Sequence, residues 1–143
     1  MCFQMKKNIL RILFLFPVLC CQAQEDSTAF TARLVNDELK VFLHISFHKQ
    51  DIEVPGQEIY GRLPGYLGRE RYTFVWPIVS ADVNENIATI AMVNDYGSED
   101  LTATLTRDND SIYTLKQTGG SPLKVPNNGK WLKLPRVIKF KRK

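Results

Sequence analysis

The sequence predicts an all-β fold: a small antiparallel meander of about eight strands that forms a closed or half-open barrel. Apolar and polar residues alternate with period two through much of the chain, turn-forming residues separate these segments, and no segment shows a clear helical period. Because most connections are short, successive strands are expected to be antiparallel neighbours. A two-sheet β-sandwich fits the same pattern and is the alternative.

The clearest hairpin covers residues 30–48. Apolar side chains alternate with polar ones over residues 30–34, and the alternation resumes over residues 39–48. Asn36 and Asp37 lie between the two segments, and both residue types favour turns. This pattern predicts the first two strands and the turn that joins them.

The remaining strands are predicted at residues 58–63, 72–79, 87–93, 101–106, 112–116 and 131–140. Glycine, proline and asparagine predict a turn at residues 65–68 and a loop at residues 117–130. Segments 72–79 and 87–93 are apolar on both faces, which is typical of strands covered on both sides. Pro77 has no backbone N–H to donate to a neighbouring strand, so an edge strand or a bulge is expected there.

The last predicted strand has two contrasting faces. Side chains at even spacing along a strand point the same way. The alternation therefore predicts an apolar core face of Leu132, Leu134, Ile138 and Phe140. The other face would hold Trp131, Lys133, Lys139 and Lys141. From Lys116 to the last residue the chain carries no acidic side chain, so this face would be strongly basic, unless its lysines only guard an exposed edge strand.

The N-terminal segment has the features of an export signal. A basic stretch precedes the apolar residues 12–21, which are too few to span a membrane, since a spanning helix needs roughly 20. Ala23 supplies the small residue before a cut. We therefore expect residues 1–23 to be a cleavable signal peptide and residues 24–143 to form a single β-rich domain that is periplasmic or secreted.

All of the cysteines lie in the predicted signal, at Cys2, Cys20 and Cys21. A lipid anchor on Cys20 or Cys21 is the alternative to simple cleavage. Cleavage after Ala23 would leave a mature chain without cysteine, which excludes disulfides and thiolate chemistry from the folded domain. The same cut removes three basic residues, so the mature chain would be almost neutral overall.

No motif predicts catalytic residues, a metal or a cofactor. His44 and His48 are the two histidines, and at four residues apart on a strand they would lie about 13 Å apart, too far to share one ion. The acidic turns at residues 94–100 and 108–111 lack the spacing of a calcium loop. A hydrolase could draw on scattered carboxylates, but no motif selects a pair among Glu58, Glu70, Glu99 and Asp100.

Aromatic residues form the most informative group of candidates, because such side chains line pockets and anchor interfaces. This group comprises Tyr60, Tyr66, Tyr72, Phe74, Trp76, Tyr96, Tyr113 and Trp131. From it and the basic strand we select six candidate binding residues: Trp131, Lys133, Lys139, Lys141, Trp76 and Tyr66.

In size and strand count the domain resembles the small ligand-binding barrels, such as lipocalins and fatty-acid-binding proteins. That resemblance implies a small apolar ligand inside the barrel. We therefore expect an exported, non-enzymatic and monomeric binding module that holds such a ligand or engages a partner protein through its surface, as envelope inhibitors and immunity proteins do. A hydrolase is the alternative. The basic C-terminal strand also predicts peripheral membrane contact, whereas nothing predicts nucleic-acid binding.

Overall fold

The computed structural model describes residues 28–143, so the predicted signal peptide lies outside the described residues. The chain forms strands and one short 3-10 helix, η1: β1 (Thr31–Asn36), β2 (Val41–Ser46), β3 (Ile52–Glu53), η1 (Glu58–Tyr60), β4 (Arg62–Leu63), β5 (Gly65–Arg69), β6 (Val75–Asn84), β7 (Ile87–Val93), β8 (Asp100–Arg107), β9 (Ile112–Gly120), β10 (Lys124–Asn127), β11 (Lys130–Lys133) and β12 (Val137–Arg142). None of the described helical structure is long and apolar enough to cross a membrane.

Eight strands close into an antiparallel barrel in the order β1-β12-β9-β8-β7-β6-β5-β2. The predicted all-β barrel is therefore confirmed, and it is closed. Two small two-stranded sheets, β3–β4 and β10–β11, lie outside the ring. The first predicted hairpin is present, with Asn36 opposite Val41. The Asn36 side-chain oxygen accepts a hydrogen bond from the Leu39 amide at 2.8 Å, which explains the turn.

Apolar side chains fill the barrel interior. The period-two alternation sends alternate residues inward, and the largest of them are aromatic. Phe30 stacks on Phe47 with ring centroids 5.5 Å apart and meets the edge of Tyr113 at 6.0 Å. The Tyr113 hydroxyl donates to the Ala29 carbonyl oxygen, so its one polar group is satisfied inside the core.

The outer face of β6 is apolar because a second, smaller cluster covers it. Ile52, Val54 and Leu63 belong to the β3–β4 region and pack with Val75 outside the ring. This confirms that the start of β6 is buried on both faces. By contrast, the same prediction for residues 87–93 is wrong, because Ile87 and Thr89 are exposed and the strand simply alternates.

The single last strand predicted at residues 131–140 is wrong. β11 pairs with β10, with Trp131 opposite Pro126, whereas β12 begins only at Val137 and joins the barrel between β9 and β1. Pro135 lies in the break and cannot donate to a ladder. Trp131 and Lys133 therefore do not share a face with Lys139 and Lys141. Leu134, Ile138 and Phe140 are buried in the core as predicted.

Three other local predictions also need correction. Residues 58–63 form η1 and the two-residue β4 rather than one strand, and part of the predicted loop 117–130 belongs to β9 and β10. Residues 65–68 form most of β5 instead of a turn. The bulge expected at Pro77 occurs slightly later, between Ile78 and Ser80 in the pairing with β7.

Candidate functional site

A cluster of aromatic side chains lies at the edge of the main core, where the turn after β7 meets the β10–β11 hairpin. Phe74 is at its centre and contacts two rings edge-on, with centroid distances of 5.5 Å to Tyr96 and 5.0 Å to Trp131. Tyr96 and Trp131 also approach each other at 6.4 Å. Phe74 is buried, but Tyr96 is 72% exposed and Trp131 is 51% exposed.

A tight turn presents Tyr96 to solvent. Asn94 is 5% exposed, and its side-chain oxygen accepts hydrogen bonds from the amides of Ser98 at 2.9 Å and Glu99 at 3.2 Å. Its side-chain amide group donates to the Ser98 hydroxyl at 3.1 Å. Gly97 has φ of 71°, a left-handed conformation that glycine adopts readily. The turn is thus held from within, and the Tyr96 ring takes no part in those bonds.

The β10–β11 hairpin holds Trp131 in place through contacts with the barrel. The buried Trp76 indole of β6 donates to the Lys124 carbonyl at 2.8 Å, and within the hairpin the Leu134 amide donates to the Leu123 carbonyl at 2.8 Å. At the tip of the hairpin, the Asn128 amide donates to the Tyr72 hydroxyl at 2.9 Å. These bonds fix the hairpin at both ends, so Trp131 is exposed but not loosely attached.

Helix η1 extends the cluster on its other side. The Gln57 side chain donates to the Asp95 carbonyl at 2.9 Å, which ties η1 to the turn that carries Tyr96. The Tyr60 hydroxyl lies beside Gly97. Ile59 is 92% exposed and Tyr60 is 44% exposed. We call the set of Ile59, Tyr60, Phe74, Tyr96 and Trp131 the aromatic surface.

A small cavity of about 140 Å³ opens at the base of the aromatic surface. Phe74, Trp76 and Trp131 form its apolar walls. Its polar side includes Glu99 and Lys124, whose charged groups pair at 3.4 Å and are each about one-third exposed. Because the two charges compensate each other, the cavity has no strong preference for either sign of charge.

A wider cleft of about 510 Å³ lies further round the outer wall of the barrel. Tyr66 lines it and meets the edges of Phe42 at 5.9 Å and His44 at 5.8 Å. A side chain at Gly68 would place its Cβ 2.5 Å from the Phe42 ring, so the glycine allows that ring to lie flat on β5. Tyr66 points away from the barrel interior but is half-buried, because it packs against the outer apolar cluster that contains Val75.

The structure separates the predicted binding residues. Trp131 belongs to the aromatic surface, and Lys133 is exposed nearby on β11. Trp76 is only 1% exposed, so it supports the site from within and cannot form an outer contact surface. Lys139 and Lys141 lie on β12, in a different sheet from Trp131.

The residues considered for chemistry are dispersed. His44 and His48 are exposed, and no group of three or more metal-ligating side chains occurs within residues 28–143. Of the carboxylates considered for a hydrolase, Glu99 pairs with Lys124, while Glu58 and Glu70 lie exposed on η1 and after β5.

Sequence reasoning missed Ile59 and the meeting of Phe74, Tyr96 and Trp131. One clue was available for Tyr96. It lies in a turn-forming run of asparagine, aspartate, glycine and serine, where strand propensity does not explain an aromatic residue.

The chain matches no family model, no curated protein and no solved structure. We therefore infer its function from the geometry above.

Proposed function

We propose that the protein is an exported, non-enzymatic binding module that engages a partner protein through the aromatic surface. One observation carries this proposal: Tyr96 and Trp131 are more than half exposed although ring contacts with Phe74 hold both in place. Tyrosine and tryptophan are the side chains most enriched among residues that dominate binding energy at protein interfaces.

Rigid exposed rings are well suited to binding. A ring that is already held loses little conformational freedom when a partner covers it, so more of the contact energy appears as affinity. Tyr60, whose hydroxyl lies beside Gly97, and its η1 neighbour Ile59 are also exposed. Single exposed apolar residues are ordinary on protein surfaces, but several that are contiguous are typical of an interaction site.

The packed interior favours surface binding over a ligand held inside the barrel. Phe30, Trp76 and Tyr113 occupy the interior and are each at most 1% exposed. A small apolar ligand could enter only if such side chains moved, and close-packed cores resist such changes. The lipocalin-like expectation of an interior pocket therefore has little support from the packing.

Site-specific photo-crosslinking in the native host tests this proposal. A photoreactive phenylalanine analogue at position 96 or 131 should yield one discrete crosslinked protein. The same analogue at Ile87 is the control, since Ile87 is also exposed but lies at the opposite end of β7. An identical crosslinked species from all three positions, or none from 96 and 131, would contradict the proposal.

A further inference from the structure

The outer face of β9 and β12 carries a compact group of lysines. In the register of these two strands, Val137 is opposite Lys116, Lys139 is opposite Thr114, and Lys141 is opposite Ile112. Lys116, Lys139 and Lys141 are all exposed, whereas Ile138 and Phe140, which alternate with the β12 lysines, are buried in the core. Neighbouring side chains on one face of paired strands lie about 5–8 Å apart, so the three ammonium groups form one patch.

The positive charge continues onto the next strand. β1 pairs with β12 and places Val35 opposite Lys141. Arg33 precedes Val35 by two residues on the same face, and its guanidinium lies 4.5 Å from the centroid of the Phe42 ring. We call the set of Arg33, Lys116, Lys139 and Lys141 the basic wall.

Little acidic charge opposes the basic wall. Within the described part of the chain, none of its three lysines forms an ion pair, whereas Lys124 is paired with Glu99. The outward residues of β9 and β12 include no carboxylate. Asp108 reaches this face by accepting a hydrogen bond from the Thr114 hydroxyl. The exposed Asp37 follows Asn36, whose side chain donates to the Lys139 carbonyl at 2.8 Å. These carboxylates offset only part of the positive charge.

An exposed apolar residue lies among the lysines. Val137 is 51% exposed on the same face, directly opposite Lys116. Lysine side chains have apolar stems below their ammonium groups, so Val137 and the stems together offer an apolar strip beneath a charged layer. This combination suits the boundary between lipid headgroups and acyl chains.

We propose that the basic wall binds an anionic phospholipid surface. Basic side chains near such a surface each contribute about a five-fold gain in membrane association, and the contributions decline with added salt. β12 and β6 lie on opposite sides of the eight-stranded ring. A protein lying on its basic wall would therefore turn the β6 side away from the membrane.

Vesicle co-sedimentation with matched charge reversals tests the proposal. Every strand of the barrel lies within residues 31–142, so the chain from Gln24 contains the whole barrel and avoids the apolar N-terminal segment. This chain should bind vesicles that contain phosphatidylglycerol but not vesicles of phosphatidylcholine alone, and binding should weaken as salt is added. Lys116→Glu with Lys139→Glu should weaken binding by at least about ten-fold.

The control makes the same charge change elsewhere. Lys130→Glu with Lys133→Glu reverses two exposed lysines on β11, outside the basic wall. This variant should keep its affinity within about two-fold. Circular dichroism and thermal unfolding should confirm that both variants fold. If both variants lose the same affinity for phosphatidylglycerol vesicles, overall charge alone drives binding and the proposal is wrong. Equal binding to phosphatidylcholine vesicles, or no binding to either kind of vesicle, would also overturn it.

Discussion

Replacing Ile138 by alanine tests which way the side chains of β12 point. Ile138 is 2% exposed and belongs to the main core cluster. The change removes three buried carbon groups at about 0.8 kcal/mol each, and the cavity left behind adds to that loss. We expect the free energy of unfolding to fall by about 2–5 kcal/mol.

The neighbouring residue is the matched control for this measurement. Val137 is 51% exposed on the outer face, so Val137→Ala should change stability by less than about 1 kcal/mol. A shift of one residue in the pairing with β9 would exchange the two side chains between core and solvent. Urea unfolding of both variants gives the comparison. A small loss for Ile138→Ala together with a large loss for Val137→Ala would refute the register described here.

The other predictions concern two glycines, the turn after β7 and the N-terminus. Gly120→Ala should lower the free energy of unfolding by about 2–4 kcal/mol, because the φ of Gly120 is 83° and a Cβ would lie 2.5 Å from the Asp100 carbonyl oxygen. Gly129→Ala is the control: Gly129 has a φ of 77° but open space around it, so the loss should be only about 1 kcal/mol. Urea unfolding measures both. Asn94→Ala should lower the free energy of unfolding by about 1–3 kcal/mol, because it removes the side chain that holds the turn after β7. Calorimetry would measure the change, and an unchanged melting temperature would contradict the prediction. The exported protein should begin at Gln24 by intact mass, and an acylated N-terminal cysteine would instead establish the lipid-anchored alternative.

Much of the barrel could be predicted because local alternation determines it. The bounds of β7 agree with the predicted segment, and the β1–β2 hairpin follows from alternation on both sides of an Asx turn. Such patterns depend on residues close together in the chain, so one sequence is enough to recognise them.

The break before β12 could not be predicted from alternation. Residues 134–136 belong to neither β11 nor β12. Leu134 and Ile138 are nevertheless four residues apart and both buried, so the alternation of apolar and polar residues continues across the break. Pro135 was the one local indication. Similarly, the glycines of β5 resemble a turn, but a Cβ at Gly65 would lie 2.2 Å from the His44 carbonyl oxygen, so this glycine permits close strand packing.

The aromatic surface was beyond prediction for a different reason. Phe74, Tyr96 and Trp131 come from three separate parts of the chain, and only the closed barrel and the anchored hairpin bring them together. Composition suggested that aromatic residues mattered, but it could not separate the exposed Trp131 from the buried Trp76.

The affinity of the crosslinked partner for three purified variants is the most direct test of surface binding. Trp131→Ala and Tyr96→Ala should each weaken binding by at least about ten-fold, with melting temperatures close to that of the parent protein. Ile87→Ala, at the other end of β7, should leave the affinity unchanged. Equal affinities for all three variants would contradict binding through the aromatic surface.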